Sequence, residues 1–394
     1  MGEESDQISG IVNPFRLGEP GADTRPFSPL ALERVQHLHR SLPGYSQTPL
    51  TRLGGLAKRL GLDEVWIKDE SLRFGLNAFK SLGASYAISQ LFLEGAAEPD
   101  FDKLRAGVIA DPQSKPTFVS ATDGNHGCAV AWMGQLLGVN SVIYMPSGSE
   151  QVRIDAIRAY GGHVEVIDGN YDDAVSHASA QAKSHGWELI QDMAWEGYTS
   201  VPLWIMQGYS TLFSEIITQI EGQTPTHVFL QAGVGSMAGA FQAALVEHYG
   251  PQCPSVSVVE PDNAACYFKS MQSGDGQLHA LEGHLDTSMA GLACGTPSSL
   301  AWPIIRYYSE YFFKCPDRVT ELGMQVLAHP LNDDERVISG ESGAVTTGLL
   351  VELMENTNLK EMAERMSLGP DSKILLISTE GDTDPDNYQR VTSR

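Results

Sequence analysis

Residues 227–248 read HVFLQAGVGSMAGAFQAALVEH, and the order of residue types in this stretch decides the fold class. His227–Gln231 is a short apolar run of strand length. Gly233 and Gly235 follow, and then a helical pattern from Met237 to His248. A strand that turns on glycines into a helix is the repeating unit of a parallel sheet covered by helices. The glycines also let backbone approach a ligand, and a helix start offers free N–H groups at the positive end of its dipole. Ser236 adds a hydroxyl donor, so Ala232–Gly239 is a candidate phosphate cradle. It departs from the dinucleotide pattern GxGxxG, because Ala238 stands where the third Gly belongs, and no Lys-Ser or Lys-Thr follows as in a P-loop. The alternative is a tight turn that binds nothing.

The same alternation extends outward in both directions. Strands are expected at Val65–Lys68, Thr117–Ser120, Ser141–Met145, Val164–Ile167, Val256–Glu260 and Lys373–Ser378. Helices are expected at Ala78–Glu94, Gly127–Leu137, Gln151–Tyr160, Tyr171–His185 and Ser342–Asn356. Strands of four to six residues between helices predict an α/β protein with parallel sheets and helices on both faces. Residues 1–30, rich in Pro, Gly and charge, are expected to form an extended arm.

A chain of 394 residues exceeds one ordinary core and fits two domains, or one built around the other. Its net charge of −23 repels nucleic acid and anionic membranes, so neither is an expected partner. None of the five cysteines forms a CxxC pair, and no His pair has metal-helix spacing, so no metal is expected. The opening MGEESDQISG lacks the basic and apolar regions of a signal peptide, Asp6 replaces the Ser or Thr of a myristoylation site, and no apolar run is long enough for a membrane helix. The expectation is a soluble cytoplasmic protein.

Two further segments carry chemistry. SATDGNHG, Ser120–Gly127, is a second glycine turn between a strand and a helix, suited to a carboxylate. Asp123 is unusual in an anion-binding loop, and its plainer reading is a helix N-cap. His126 reads as a hydrogen-bonded structural histidine. RFGLNAFKSLGAS, Arg73–Ser85, sets Lys80 at the start of an amphipathic helix among Phe74, Leu76, Phe79 and Leu82. Apolar surroundings disfavour the charged amine, and the neutral amine attacks aldehydes. A snorkelling surface lysine is the alternative.

Taken in order, these segments resemble the fold type II pyridoxal-phosphate (PLP) enzymes, which include threonine dehydratases, cysteine synthases and the tryptophan synthase β chain. RFGLNAFKSLGAS, ATDGNHG, NYDDAV, QDMAWEGY, WIMQGY, QAGVGSMAG, MAGLACG and STEGDTD are similar to the diaminopropionate ammonia-lyase family, from about Lys68 to Asp384. The resemblance implies two parallel-sheet domains of the tryptophan synthase β-like architecture, with pyridoxal 5'-phosphate in the interdomain cleft. The implied divisions are an arm at 1–30, a large PLP-binding domain at 31–76 with 196–394, and a small mobile domain at 77–195. It implies Lys80 as the Schiff-base lysine, Asn125 on the ring hydroxyl, and Gly233, Val234, Gly235, Ser236 and Met237 around the phosphate. Either Thr379 or Ser378 faces the pyridine nitrogen, and Glu341 lies near the ring. Ser120 and Thr122 hold the substrate carboxylate.

Asp123 and Asp192 mark the ammonia-lyase branch, where a carboxylate binds the second ammonium of a diamino acid or moves the Cα proton. The implied reaction is α,β-elimination of ammonia from 2,3-diaminopropionate, with Lys80 serving the L form and Asp123 the D form, giving pyruvate and two ammonia. A buried, hydrogen-bonded carboxylate is the plainer reading of Asp192. Cys128 replaces an expected Arg after DGNHG, which puts the preferred substrate in question. Cys266 and Cys294 fall near the active-site mouth in such folds, where a disulfide is conceivable but thiols suit the cytoplasm. The family also implies a homodimer with a small amino-acid substrate. Two readings stay open beside this one: a serine, threonine or hydroxyaspartate dehydratase or β-replacement enzyme of the same fold, and a non-catalytic amino-acid sensor.

Overall fold

Strand His227–Gln231 runs through its glycine turn into helix Ser236–Tyr249. The computed structural model describes residues 7–16, 21–93, 98–110, 115–122, 124–283 and 285–393. The chain divides into two compact units, Met1–Arg25 with Gln47–Leu72 and Leu212–Arg394, and Pro26–Ser46 with Arg73–Thr211.

In the first unit His227–Gln231 is the middle strand of a seven-stranded sheet. The order is Ser9–Val12, Tyr311–Cys315, Ser255–Pro261, His227–Gln231, Lys373–Ser378, Glu64–Asp69, Leu50–Arg52. The five inner strands are mutually parallel, and both edge strands are antiparallel. HVFLQ and KILLIS are near-continuous apolar runs because helices cover the inner strands on both faces. The parallel register, Val228 opposite Val256 and Leu375 opposite Trp66, brings the strand ends at Gln231 and Ser378 to one edge of the sheet. Within the expected arm, Ser9–Val12 is an edge strand paired with Tyr311–Cys315.

The second unit holds a four-stranded parallel sheet ordered His163–Ile167, Asn140–Pro146, Thr117–Ala121, Glu188–Leu189. Helices Asn125–Leu137, Gln151–Ala159 and Tyr171–His185 alternate with its strands. Tyr171–His185 opens with a reciprocal capping box between Asn170 and Asp173 and closes on a left-handed Gly186. Helix Pro29–Ser41 groups with this unit, where the sequence places it with the flanking segments, because Val35 and Leu38 pack on Tyr86. Lys80 opens helix Lys80–Leu93, but that helix is not amphipathic: Ser81 to Gln90 is buried without a break, so it is an internal helix. Among the described residues no helix is long and apolar enough to cross a membrane.

Candidate active site

Two left-handed residues, Phe74 and Asn77, bend the chain just before Lys80. The ammonium of Lys80 donates to Asp192 Oδ2 at 2.6 Å. It also lies over two aromatic faces, 5.5 Å from the ring centre of Phe79 and 6.0 Å from that of Tyr209. Burial raises the pKa of the Asp192 carboxyl, but Lys80 and His126 together outweigh it and hold the group near 2. Asp192 is therefore an ionised acceptor at any physiological pH. Burial also pushes the Tyr209 phenol well up, which keeps it neutral.

Asp192 sits just past the short strand Glu188–Leu189, and three motifs meet behind it. Gln191 takes its backbone N–H to Tyr198 Oη at 3.0 Å and its Nε2 to Tyr171 Oη at 3.0 Å. Its Oε1 accepts from the Ala121 N–H at 3.0 Å, and the Ser120 hydroxyl oxygen lies 3.1 Å from it. Tyr198 Oη in turn donates to the Leu189 carbonyl at 2.7 Å. NYDDAV and SATDGNHG are thus bound to QDMAWEGY through one glutamine side chain.

Ser120 is fully buried and donates to the Ile190 carbonyl at 2.7 Å. The structure places it in the wall behind Gln191, and its one proton is used there. Thr122 Oγ1 accepts from the Gly124 and Gly127 N–H groups at 3.0 and 3.2 Å, which shapes the turn and leaves its hydroxyl proton to give. Asn125 opens helix Asn125–Leu137. Asp123 lies outside the described residues. His126 Nε2 meets the Ile190 carbonyl at 2.7 Å, and burial pulls its pKa down.

The first unit carries the candidate cradle. Gly235 is left-handed, φ 87°, and helix Ser236–Tyr249 begins with no side-chain cap. A β-carbon at Gly235 would stand 2.1 Å from Tyr267 Oη, which donates to the Val234 carbonyl at 2.8 Å. A bare helix start behind a glycine turn fits an anionic phosphate. The carboxylate of Glu260 accepts from the backbone N–H groups of Tyr267 and Phe268 at 2.8 and 2.7 Å, and burial raises its pKa to about 8. Tyr267 and Glu260 carry no local sequence signal.

Gln231, last in its strand, shares the two protons of Nε2 among the Ile377 carbonyl at 2.8 Å, the Ser342 carbonyl at 3.0 Å and Thr379 Oγ1 at 3.2 Å. Its Oε1 is buried with no protein partner. Ser378 Oγ is taken up by Ser339 Oγ at 2.8 Å and the Glu380 carbonyl at 3.3 Å. Glu341 accepts from Asn387 of helix Pro385–Thr392. All five cysteines are thiols, and burial pushes Cys128 up to about 12. The orphaned Gln231 Oε1 and the glycine cradle are consistent with a polar, phosphate-bearing group bound at this edge of the sheet.

Comparison with known proteins gives three matches. The family described as "Pyridoxal-phosphate dependent enzyme" matches residues 42–379. The chain is 47% identical to diaminopropionate ammonia-lyase of Escherichia coli strain K12, over 93% of this chain and 92% of that protein. It superposes on the crystal structure of Escherichia coli diaminopropionate ammonia lyase in complex with an aminoacrylate-PLP azomethine reaction intermediate. The TM-score is 0.88 at 45% identity, covering 98% of this chain and 97% of that one.

Proposed function

Because this chain belongs to the family of pyridoxal-phosphate-dependent enzymes, we propose that it eliminates ammonia from 2,3-diaminopropionate, leaving pyruvate and a second ammonia. The observation that carries the reading is an ionised carboxylate, Asp192, in contact with the ammonium of Lys80. A threonine-type substrate has no second ammonium for such a group to hold.

The cofactor, when bound, supplies an electron sink for the pair released at Cα. Lys80 Nζ holds its aldehyde carbon, the N–H groups of Gly233–Met237 hold its phosphate, and Asn125 bonds its ring hydroxyl. Of the two candidates for the pyridine nitrogen we choose Thr379. Its hydroxyl accepts from Gln231 and keeps a proton to donate, whereas the Ser378 hydroxyl is engaged by Ser339 and Glu380. Thr122, with a spare hydroxyl proton, binds the substrate carboxylate, while Ser120 holds the Ile190 carbonyl in the chain just before Gln191. Lys80 takes the Cα proton of the L form and Asp123 that of the D form. Asp192 accepts N–H from the β-ammonium. The released 2-aminoacrylate hydrolyses in water to pyruvate and ammonia. The same reading assigns a cytoplasmic homodimer, and light scattering at the 42.7 kDa mass of one chain would reject the dimer.

The test is pyruvate and ammonia release from D- and L-2,3-diaminopropionate, beside L-serine, L-threonine and hydroxyaspartate, with Lys80→Ala as control. Two ammonia per pyruvate from the diamino acid, lost with Lys80, support the proposal. Turnover of the hydroxy amino acids alone moves the chain to the dehydratase branch.

A further inference from the structure

Lys80 has two forms, and its contact with Asp192 suits one of them. Asp192 is ionised and can only accept, so its 2.6 Å contact serves the ammonium. The neutral amine attacks an aldehyde or takes a proton from carbon, and its lone pair needs a donor once it is largely out of water. In the proposed reaction Asp192 is also taken up by the β-ammonium of the substrate. It is then engaged elsewhere when Lys80 acts as the base.

Three distances place Tyr209 for that task. Its ring packs on Phe79 with centres 4.7 Å apart. A β-carbon on Gly83 would stand 2.7 Å from its Cζ, the carbon that bears the hydroxyl. Gly83 follows Lys80 by three residues in helix Lys80–Leu93, so the two share a face, and the hydroxyl end of the ring lies on that face. The ring centre is 6.0 Å from Nζ, at the outer limit for a cation held by an aromatic face, so the ring itself holds the ammonium weakly. Tyr209 is 1% exposed, and among the described residues its hydroxyl has no hydrogen-bond partner, a costly state for a buried donor. Burial raises its pKa far more than the nearby Lys80 lowers it, so the phenol keeps its proton throughout. Such a hydroxyl can donate as well as accept.

We propose that Tyr209 is the positioning residue for the neutral amine of Lys80, donating its hydroxyl proton in a hydrogen bond to the Nζ lone pair. Its use in the reaction rests on the ammonia-lyase reading. Displaced from the cofactor by the substrate amine, Lys80 leaves as a neutral amine. Rotation about the bonds of its four-carbon chain carries Nζ between Asp192 and Tyr209. When Lys80 takes the Cα proton, the pair of the broken C–H bond forms the Cα–Cβ double bond, and ammonia departs from Cβ with the pair of the broken C–N bond. Nζ is then an ammonium, and the Tyr209 hydroxyl has only to rotate to accept from it. The phenol gives up no proton at any point.

The test is the protonation of Lys80 in the full-length apoprotein, read by peptide-resolved labelling with acetic anhydride as a function of pH. Tyr209→Phe keeps the ring against Phe79 and Gly83 and removes only the hydroxyl. It is expected to raise the Lys80 labelling midpoint, and so to slow labelling below that midpoint roughly threefold to tenfold, the contribution of one neutral hydrogen bond. Tyr209→3-fluorotyrosine, a stronger donor of nearly the same shape, is expected to move the midpoint the opposite way. Lys68, buried against Glu215 at 2.6 Å, is the internal control and stays unlabelled while the fold is intact. A midpoint that neither variant moves makes Tyr209 a packing residue. One that falls in Tyr209→Phe makes its hydroxyl a partner of the ammonium. Either result overturns the proposal. The labelling needs no substrate, so the two readings fail separately. If the midpoint rises but the unaltered holoenzyme turns over only hydroxy amino acids, Tyr209 keeps its role toward Lys80 and the ammonia-lyase reading falls.

Discussion

A β-carbon on Gly83 would stand 2.5 Å from Cε1 of Tyr209 and 2.7 Å from its Cζ. Tyr209 is buried, so its ring cannot swing into solvent to make room. The glycine is what lets that ring lie beside Lys80, one helical turn away. Gly83→Ala gains up to about 1 kcal/mol of helix propensity, but overpacking against a fixed ring costs about 1–3 kcal/mol. Net destabilisation is expected in denaturant unfolding. A stabilised Gly83→Ala protein would show that the two helices do not approach as described.

The pairing of Asp192 with Lys80 makes a prediction about acid. The carboxyl is held near 2, below its ordinary 3.8, so it contributes stability above pH 3.8 that is lost as pH falls toward 2. The depression corresponds to about 2 kcal/mol. Unfolding free energies measured from pH 5 down to pH 2 are expected to fall more steeply in the unaltered protein than in Asp192→Asn. Parallel curves would mean that Lys80 does not hold the carboxylate.

Strands His227–Gln231 and Lys373–Ser378 are legible to the residue, because interior parallel strands are apolar throughout and bounded by turn residues. Leu50–Arg52 and Glu188–Leu189 carry no such mark. They are two or three residues long, and pairing with a longer neighbour makes them strands. The all-round burial of Lys80–Leu93 depends on what packs over it, which no periodicity in KSLGASYAISQLFL reveals. The site shows the same division. Motif order identifies Lys80 and Asp192, but their contact spans 112 positions and exists only in the fold. The use of the Ser120 proton by Ile190, and the brace from Tyr267 to the cradle, are likewise tertiary facts with no local pattern.

Behind the cradle, Glu260 carries the opposite pH signature. Burial raises its pKa from 4.5 to about 8, so its stabilising contribution is complete below pH 4.5 and is lost as pH rises through 8. Between pH 6 and 9 the unaltered protein is expected to lose about 3 kcal/mol relative to Glu260→Gln, which has no proton to give up. Unfolding midpoints of the two proteins at pH 6 and pH 9 measure this. A gap that stays constant would mean that Glu260 is ionised throughout, with the Tyr267 and Phe268 N–H groups offsetting its burial.

Gly235 and Tyr267 supply the sharpest test of the cradle. Gly235→Ala forces a side chain into a left-handed backbone, which costs roughly 1–2 kcal/mol, and drives a methyl against the Tyr267 hydroxyl. The variant is expected to bind pyridoxal phosphate at least about tenfold more weakly, read from fluorescence titration of the apoprotein. Tyr267→Phe alone removes the bond to the Val234 carbonyl and should weaken binding less. Combined, the two substitutions relieve the clash at the hydroxyl but leave the backbone strain and the approach to the ring carbons Cζ and Cε2. The double variant should therefore bind more tightly than Gly235→Ala alone and more weakly than Tyr267→Phe. If instead the two effects simply add, the hydroxyl is not the obstacle, and the glycine is required for its backbone conformation or for the closeness of the ring carbons.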